Sequence, residues 1–225
     1  MPAYQFDPRL GRGTGRYVAP NGRIVKNSVV RDELDLLLGN AGDPMTTLFD
    51  LLRERQISLA DFRLQGMDII KDVHLNAVAM QRGGWSNMTQ ADYGRAGQAT
   101  RVQYGYWRDM VDQIATGKQP IDGRLKLRMN MYVQAGRETF NASQASYATS
   151  YGATHVGSTL NPADHCSECV AFDGKWFVIG DSSYKKVGSR ICLKNCRCEE
   201  RHGVMKDGKI VELKDSEAVD SLEVV

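Results

Sequence analysis

The sequence lacks any hydrophobic run long enough to cross a lipid bilayer, which takes about 18 consecutive apolar residues. Its first residues, MPAYQFDPRLGRGTGR, also lack the apolar core of a secretory signal. We therefore expect a protein without a membrane partner that is made and kept in a cytoplasm, where thiols stay reduced.

A strong excess of charge of either sign is absent as well. The 29 Lys and Arg residues nearly balance 27 Asp and Glu residues, for a net charge of +2. Overall attraction to nucleic acid or to an anionic membrane is therefore not expected, and such contacts would need a local patch. Proline is scarce, at 6 residues, whereas glycine is plentiful, at 22. This balance favours helices that end in glycine turns, together with a loop-rich terminal module.

The chain divides by pattern into four parts. Residues 1–26 are rich in Gly and Arg and show neither a helical nor a strand period, which predicts an extended N-terminal arm. Such an arm is either a tag without a role or a segment that docks on a partner subunit. A helical body follows over 27–160, then a Cys-rich β-hairpin module over 161–214 and an acidic tail over 215–225.

The body begins with two predicted helices. Apolar residues after Ser28 supply one side of the first helix, and Gly39 is placed to end it. Asp43 followed by Pro44 has the form of an N-cap with proline at the first helical position, which predicts a second helix to about Gln56.

Three further helices follow in the body. Ser58 with Asp61 and Thr89 with Asp92 have capping-box spacing, and they open helices to about residue 82 and to the breakers near residue 117. The last and longest helix is predicted for about 124–150. His74 is expected at a helix contact, hydrogen-bonded and without a ligand role. Arg137 is expected to form an exposed charge pair with its neighbour Glu138.

All five cysteines lie between residues 166 and 198. Cys166 and Cys169 are separated by two residues, and Cys192, Cys196 and Cys198 follow after a gap of 22 residues. Two close pairs of thiolates from separate segments are the ligand pattern of a tetrahedral structural zinc site. Cys166, Cys169 and Cys196 are the firmest candidates, and the spacing leaves the fourth position open between Cys192 and Cys198.

Other donors and other states of the cysteines stay open. His165 and His202 are nearby alternative ligands. Two disulfides, formed after lysis or in a mature particle, or free buried thiols are the alternatives to zinc. A closed, thiolate-rich site has no open coordination position, so we expect no catalytic residues and no enzyme activity.

Two Asp-Gly turns predict β-hairpins in this module. Asp173-Gly174 lies between two short apolar runs, and Asp207-Gly208 lies between two more. A hairpin this small buries too little to be stable alone, so a metal or disulfide cross-link would stabilise it. The predicted fold is mainly α with a small C-terminal β-rich, zinc-knuckle-like module, in the α+β class.

Basic residues cluster around the cysteines and give a second interpretation, a zinc-stabilised nucleic-acid-binding protein. The candidate contacts to nucleic acid are Lys185, Lys186, Arg190, Lys194, Arg197 and Arg201. Lys and Arg in loops are more often solvated than bound to DNA, so this interpretation ranks second.

The order of a long helix, CSECVAFDGKWF and then NCRCEE resembles the phage head-morphogenesis proteins related to the minor head protein F of phage Mu. The matching positions, within residues 124–203, are Cys166, Cys169, Asp173, Gly174, Cys196, Arg197 and Cys198. The His-Pro that precedes Cys-Arg-Cys in that family is replaced here by Leu193-Lys194, and Cys192 is additional.

The resemblance implies a structural virion protein of a tailed bacteriophage, present in a few copies at the portal vertex or inner capsid. It implies a role in head assembly and in DNA packaging or ejection. The implied partners are the portal protein, the major capsid protein and packaged DNA.

Overall fold

The structure is a computed structural model that describes residues 4–7, 16–25, 27–160, 164–192, 196 and 198–212. It is mainly α-helical with a small C-terminal sheet, so the predicted α+β class is confirmed. The α-helices of the described residues are α1 (Asn27–Arg53), α2 (Leu59–Arg82), α3 (Gln90–Ala115), α4 (Gly123–Ser150) and α5 (Ser167–Phe172). A single 3₁₀ turn, Trp85–Asn87, lies between α2 and α3.

The strands of the described residues form two antiparallel sheets. The N-terminal sheet has the order β1-β2-β3, with β1 at Gln5–Asp7, β2 at Arg16–Val18 and β3 at Ile24–Val25. The C-terminal sheet has the order β5-β4-β6-β7. Its strands are β4 (His155–Thr159), β5 (Trp176–Val178), β6 (Glu199–Lys206) and β7 (Lys209–Glu212).

The chain forms two compact units. The helical unit consists of Arg31–Met80 and Trp85–Phe140. The sheet unit consists of the described residues within Met1–Val30, Gln81–Gly84 and Asn141–Val225. Both units are assembled from segments that are not contiguous in sequence, and the long helix α4 contributes residues to each.

The capped helices begin where their sequences predict. Thr89 accepts a hydrogen bond from the Asp92 backbone, and the Asp92 carboxylate accepts one from the Thr89 backbone, which completes a capping box at α3. Ser58 likewise accepts from the Asp61 backbone N–H at 3.1 Å. These bonds satisfy donors that a helix otherwise leaves unpaired at its start, and only the pair at Thr89 is reciprocal among them. The predicted bounds of α2, α3 and α4 are confirmed.

The predicted break in the first helix is wrong. A single helix, α1, continues through Gly39, Gly42 and Pro44 to Arg53. Proline inside a helix costs about 3 kcal/mol because it removes one hydrogen bond and crowds the preceding turn. An unbroken buried stripe offsets this cost, since side chains before and after the proline pack into one core: Leu34, Leu38, Met45, Leu48 and Leu52.

Trp107 lies at the centre of the helical unit and is fully buried. Its ring stacks on Phe62 at 5.1 Å and meets Tyr132 edge-on at 5.2 Å. Its indole N–H donates to the carbonyl of Arg63 at 3.0 Å, so no polar atom of the ring is buried without a partner. Gly66 permits this arrangement, because a Cβ there would lie 1.9 Å from the Trp107 ring.

The sequence predicts the surroundings of one polar side chain of the body correctly and those of another wrongly. His74 is buried and lies 2.7 Å from Thr139 Oγ1, so its predicted place at a helix contact is confirmed. The predicted exposure of Arg137 is wrong, since its side chain is mostly buried and pairs with Asp35. A partner 102 residues away gives no signal in the local pattern.

The described residues of the predicted N-terminal arm form the β1-β2-β3 sheet rather than an isolated extended segment. Tyr4 and Tyr17 are both buried and meet edge-on at 5.0 Å. The Tyr4 carbonyl lies so close to Gly83 that a Cβ there would be 1.3 Å from the carbonyl oxygen. The arm therefore packs within its own chain, and glycine at position 83 makes room for it.

The two Asp-Gly turns have different structures. Asp207 and Gly208 both have positive φ and connect β6 to β7 with Lys206 paired to Lys209, so the second hairpin is confirmed. The first prediction is wrong, because Asp173 and Gly174 end helix α5 instead. Gly174, at φ +69°, takes the left-handed position that follows a helix. Glycine is favoured at this position just as it is in a hairpin turn.

The boundary between body and module also shifts. Strand β4 falls inside the predicted helical body, yet it is the central strand of the C-terminal sheet, paired with both β5 and β6. The predicted acidic tail, 215–225, lies outside the described residues. Among the described helices, none is both long and apolar enough to span a membrane.

Candidate metal centre

Helix α5 places the first two cysteines on one side of a single turn. Cys166 is the N-cap of this helix, and Cys169 lies three residues later. Residues three apart on a helix are neighbours on its surface. The Cys-x-x-Cys spacing therefore brings two sulfurs together, as a shared metal ligand pair requires.

The other three cysteines come from the segment that leads into β6. Cys169 Sγ lies 3.5 Å from both Cys192 Sγ and Cys196 Sγ. The sulfurs fall into two groups of three, Cys166 with Cys169 and Cys192, and Cys169 with Cys196 and Cys198. Within each group all sulfurs lie within 4.8 Å of one another. Cys169 belongs to both groups and is the centre of the cluster.

The sulfur distances fit metal coordination and do not fit disulfides. All five cysteines are free thiols. A disulfide needs sulfurs about 2.05 Å apart, much closer than the 3.5 Å between these pairs. Four sulfurs at about 2.3 Å from one tetrahedral zinc ion would be about 3.8 Å apart. The cluster can therefore hold a metal ion after small movements of its side chains.

Hydrogen bonds within the cluster favour the thiolate, the metal-binding form of cysteine, at two of its five sulfurs. A hydrogen bond from Cys198 lowers the pKa of the Cys196 thiol to about 4. Burial acts to raise the pKa of Cys166, but hydrogen bonds from Cys169 and Cys192 outweigh burial and lower this pKa to about 7. Burial instead raises the pKa of the Cys169 and Cys192 thiols, so a metal that binds them has to displace their protons.

The two histidines named as alternative ligands are placed differently. His165 Nδ1 lies 3.6 Å from Cys198 Sγ, so the fold brings this histidine to the edge of the cluster. His202 is buried on β6, paired across the sheet with Val156, and it lines a cleft formed by α4 and the sheet. His165 therefore stays a neighbour of the cysteines, whereas His202 is no longer a candidate metal ligand.

Arg190 was predicted as a nucleic-acid contact, but its side chain is only 1% exposed. Its Nε donates to the Lys185 carbonyl and its Nη1 to Ser158 Oγ, both at 2.9 Å. Its Nη2 lies 3.4 Å from the Tyr184 hydroxyl, and its guanidinium lies 4.9 Å from the centre of the Phe172 ring. A side chain held in this way cannot reach a DNA backbone, so Arg190 leaves the nucleic-acid set.

The remaining basic candidates that the structure describes differ in their surroundings. Lys185 is exposed but pairs with Glu168 on α5, and Lys186 is exposed. Arg201 lies over the Trp176 ring, 4.9 Å from its centre. Lys194 and Arg197 lie outside the described residues.

A carboxylate that sequence reasoning missed lies beside this network. Glu200 accepts hydrogen bonds from the Val187 backbone at 3.1 Å and from the Tyr184 hydroxyl at 3.2 Å. Burial raises the pKa of Glu200, and it is also the main reason that the pKa of Tyr184 is raised. The alternation of β6 gives a faint signal that position 200 faces inward, but nothing in the sequence indicates its partners.

Comparisons with models of protein families, with curated proteins and with solved structures found no match for this chain. The class that the geometry defines is therefore an α+β protein with a C-terminal cysteine cluster able to bind a metal ion.

Proposed function

We propose that the chain is a structural minor capsid protein of a tailed bacteriophage, acting in head assembly at the portal vertex or inner capsid. Its module around the cysteines is held together by zinc and presents a rigid surface to the portal or major capsid protein. The protein is not an enzyme, and any role in DNA packaging or ejection follows from its place in the head.

The observation that carries this proposal is the clustering of all five cysteines around Cys169. The cluster connects α5 to the segment that leads into β6, two elements with little apolar core of their own. A closed set of thiolates suits a structural metal, because zinc bound by four protein ligands has no open position for a substrate. The resemblance of the flanking sequence to head-morphogenesis proteins supplies the class of protein.

The geometry favours one ligand set, Cys166, Cys169, Cys192 and Cys196. The Cys-x-x-Cys pair on α5 supplies Cys166 and Cys169, and the two sulfurs that lie 3.5 Å from Cys169 are those of Cys192 and Cys196. In this set Cys198 is the additional cysteine, and it donates a hydrogen bond to a ligand, Cys196. Cys192, absent from the family pattern, then takes the fourth position.

Elemental analysis of protein purified without chelator tests the metal, and we expect close to one zinc ion per chain. Cys192→Ser should abolish zinc binding, whereas Cys198→Ser should retain it. If Cys192→Ser retains zinc and Cys198→Ser loses it, Cys198 rather than Cys192 is the fourth ligand. If the purified protein contains no zinc and its module unfolds when a reducing agent is added, disulfides rather than a metal cross-link the module.

The location is tested by mass spectrometry of purified particles against isolated capsids and isolated tails. We expect the chain in whole particles and capsids and not in tails. Copurification with portal subunits would identify the partner. Detection in tails alone, or absence from particles, would reject the capsid role.

Binding of duplex DNA to the purified protein tests the second interpretation. If phosphate contacts dominate, the affinity falls steeply between low and moderate salt. We expect no measurable binding, because Arg190 is buried and Lys185 is paired. Salt-sensitive binding that is lost in Lys186→Glu would instead support a nucleic-acid role.

A further inference from the structure

Arg190 is a buried positive charge whose hydrogen bonds described above go to uncharged groups. The acceptors are the Lys185 carbonyl, Ser158 Oγ and the Tyr184 hydroxyl. A buried charge is costly unless an opposite charge lies nearby. The arrangement therefore calls for an anionic neighbour.

Three anionic groups lie near the guanidinium. Glu200 is reached through the Tyr184 hydroxyl, and Glu168 is paired with Lys185 and accepts from the Ile191 backbone. The cysteine cluster is the third, because Arg190 precedes Cys192 by two positions and its guanidinium packs against Phe172 at the end of α5, the helix that carries Cys169. Cys169 is also the sulfur shared by both groups of the cluster.

We propose that Arg190 is the charge-balancing residue of the metal centre, its buried guanidinium offsetting the negative charge of the coordinated sulfurs. This inference rests on the proposed metal site. Four thiolates around one Zn²⁺ carry a net charge of −2, which a partly buried site holds poorly without a positive partner. Arginine suits this place because it stays charged when buried.

The position of Arg190 also connects the site to its surroundings. The residue lies two positions before Cys192 and is bonded to Ser158 on the central strand β4. Its guanidinium packs against Phe172 at the end of α5, the helix that carries Cys169. A single side chain therefore links both ligand-bearing segments to the sheet. Neighbours that orient metal ligands commonly contribute 10–100-fold to metal affinity.

The test measures zinc affinity by competition with a chromophoric chelator, using the full chain and two substitutions of Arg190. Arg190→Met removes the charge while keeping an unbranched chain of similar length, and Arg190→Lys keeps the charge with fewer donors. The matched control is Arg201→Met, which removes another arginine that lies over an aromatic ring in the same sheet.

We expect about 10–100-fold weaker zinc binding in Arg190→Met and an intermediate loss in Arg190→Lys. Arg201→Met should stay within about threefold of the natural protein. Equal losses in Arg190→Met and Arg201→Met would overturn the proposal, because both would then act only through the stability of the sheet. Natural affinity in a folded Arg190→Met would overturn it as well.

Cobalt substitution gives a readout that a purely structural role would not move. The sulfur-to-cobalt charge-transfer band reports the electron density on the thiolates, so loss of the nearby positive charge should shift its energy in Arg190→Met but not in Arg201→Met. If Arg190→Met does not fold, the neutral variant Arg190→Gln takes its place. An unshifted band with natural zinc affinity in that folded neutral variant rejects the proposal. Failure of the natural protein to bind zinc would reject the metal centre itself.

Discussion

The helical unit and the sheet unit are stabilised by different chemistry. In the helical unit, aromatic and aliphatic side chains fill a continuous interior around Trp107. Around β4 in the sheet unit, buried polar groups and thiols take the place of such an interior: Ser158, Arg190, His202, Cys169, Cys196 and Cys198. An apolar core tolerates the loss of one contact by partial relaxation, whereas a polar cluster depends on every partner being present.

The largest effect is expected from removing the central sulfur of the cluster. Cys169→Ser removes a member of both sulfur groups and should abolish metal binding and unfold the module locally. Structural zinc contributes on the order of 10 kcal/mol to small metal-stabilised domains. Limited proteolysis should then cut within 164–212, while circular dichroism should retain most of the helical signal.

A chelator added to the natural protein should reproduce this proteolytic pattern, and the exposed-loop variant Ser182→Ala should not. Resistance of both Cys169→Ser and chelator-treated protein to proteolysis would mean that the sheet unit does not depend on a metal.

The next effect tests the helical unit in the same way. Trp107→Ala should lower the free energy of unfolding by about 3–5 kcal/mol, because it leaves a large cavity and removes the bond from the indole to the Arg63 carbonyl. Denaturant unfolding measures the loss, and zinc content should not change. The neighbouring exposed ring gives the control, since Tyr106→Ala should change stability by less than about 0.5 kcal/mol. Equal effects of both variants would disprove the central role of Trp107.

A pair of glycine substitutions sharpens the comparison within the helical unit. Gly66→Ala should destabilise by about 1–3 kcal/mol, because its new methyl group would overlap the Trp107 ring. Gly97→Ala meets no atom within 4 Å and should stabilise α3 by about 0.5–1 kcal/mol. Thermal unfolding of the two variants should therefore shift in opposite directions, and a shift in the same direction would contradict the packing described.

The smallest effect concerns the start of α3. Thr89→Ala removes the side-chain acceptor of the capping box and should cost about 1 kcal/mol. Gln98→Ala, at an exposed position of the same helix, should change stability by no more than about 0.5 kcal/mol. Chemical denaturation that finds no difference between these variants would show that the cap contributes little to this unit.

Features with a local cause were predictable from the sequence. The capping boxes at Ser58 and Thr89 fix helix starts within four residues of chain, and Asp207-Gly208 fixes a hairpin within two. The gathering of the cysteines followed from their spacing, and the structure brings all five together.

Features that depend on distant partners were not predictable. Pro44 stays inside α1 because buried side chains on both sides of it share one core. Arg137 is buried because it meets Asp35, and Arg190 because it meets Ser158 and the Phe172 ring. In each case a tertiary contact overrides a local preference that points the other way.

The contact between Tyr4 and Gly83 has a consequence for the order in which the chain folds during synthesis. The sheet unit draws together residues near the beginning, the middle and the end of the described chain, so it closes very long loops. Long-range contacts of this kind form slowly, because the entropy of loop closure is lost before the contacts compensate for it. We therefore expect the segment containing Tyr4 to lack this contact until Gly83, directly after α2, has left the ribosome.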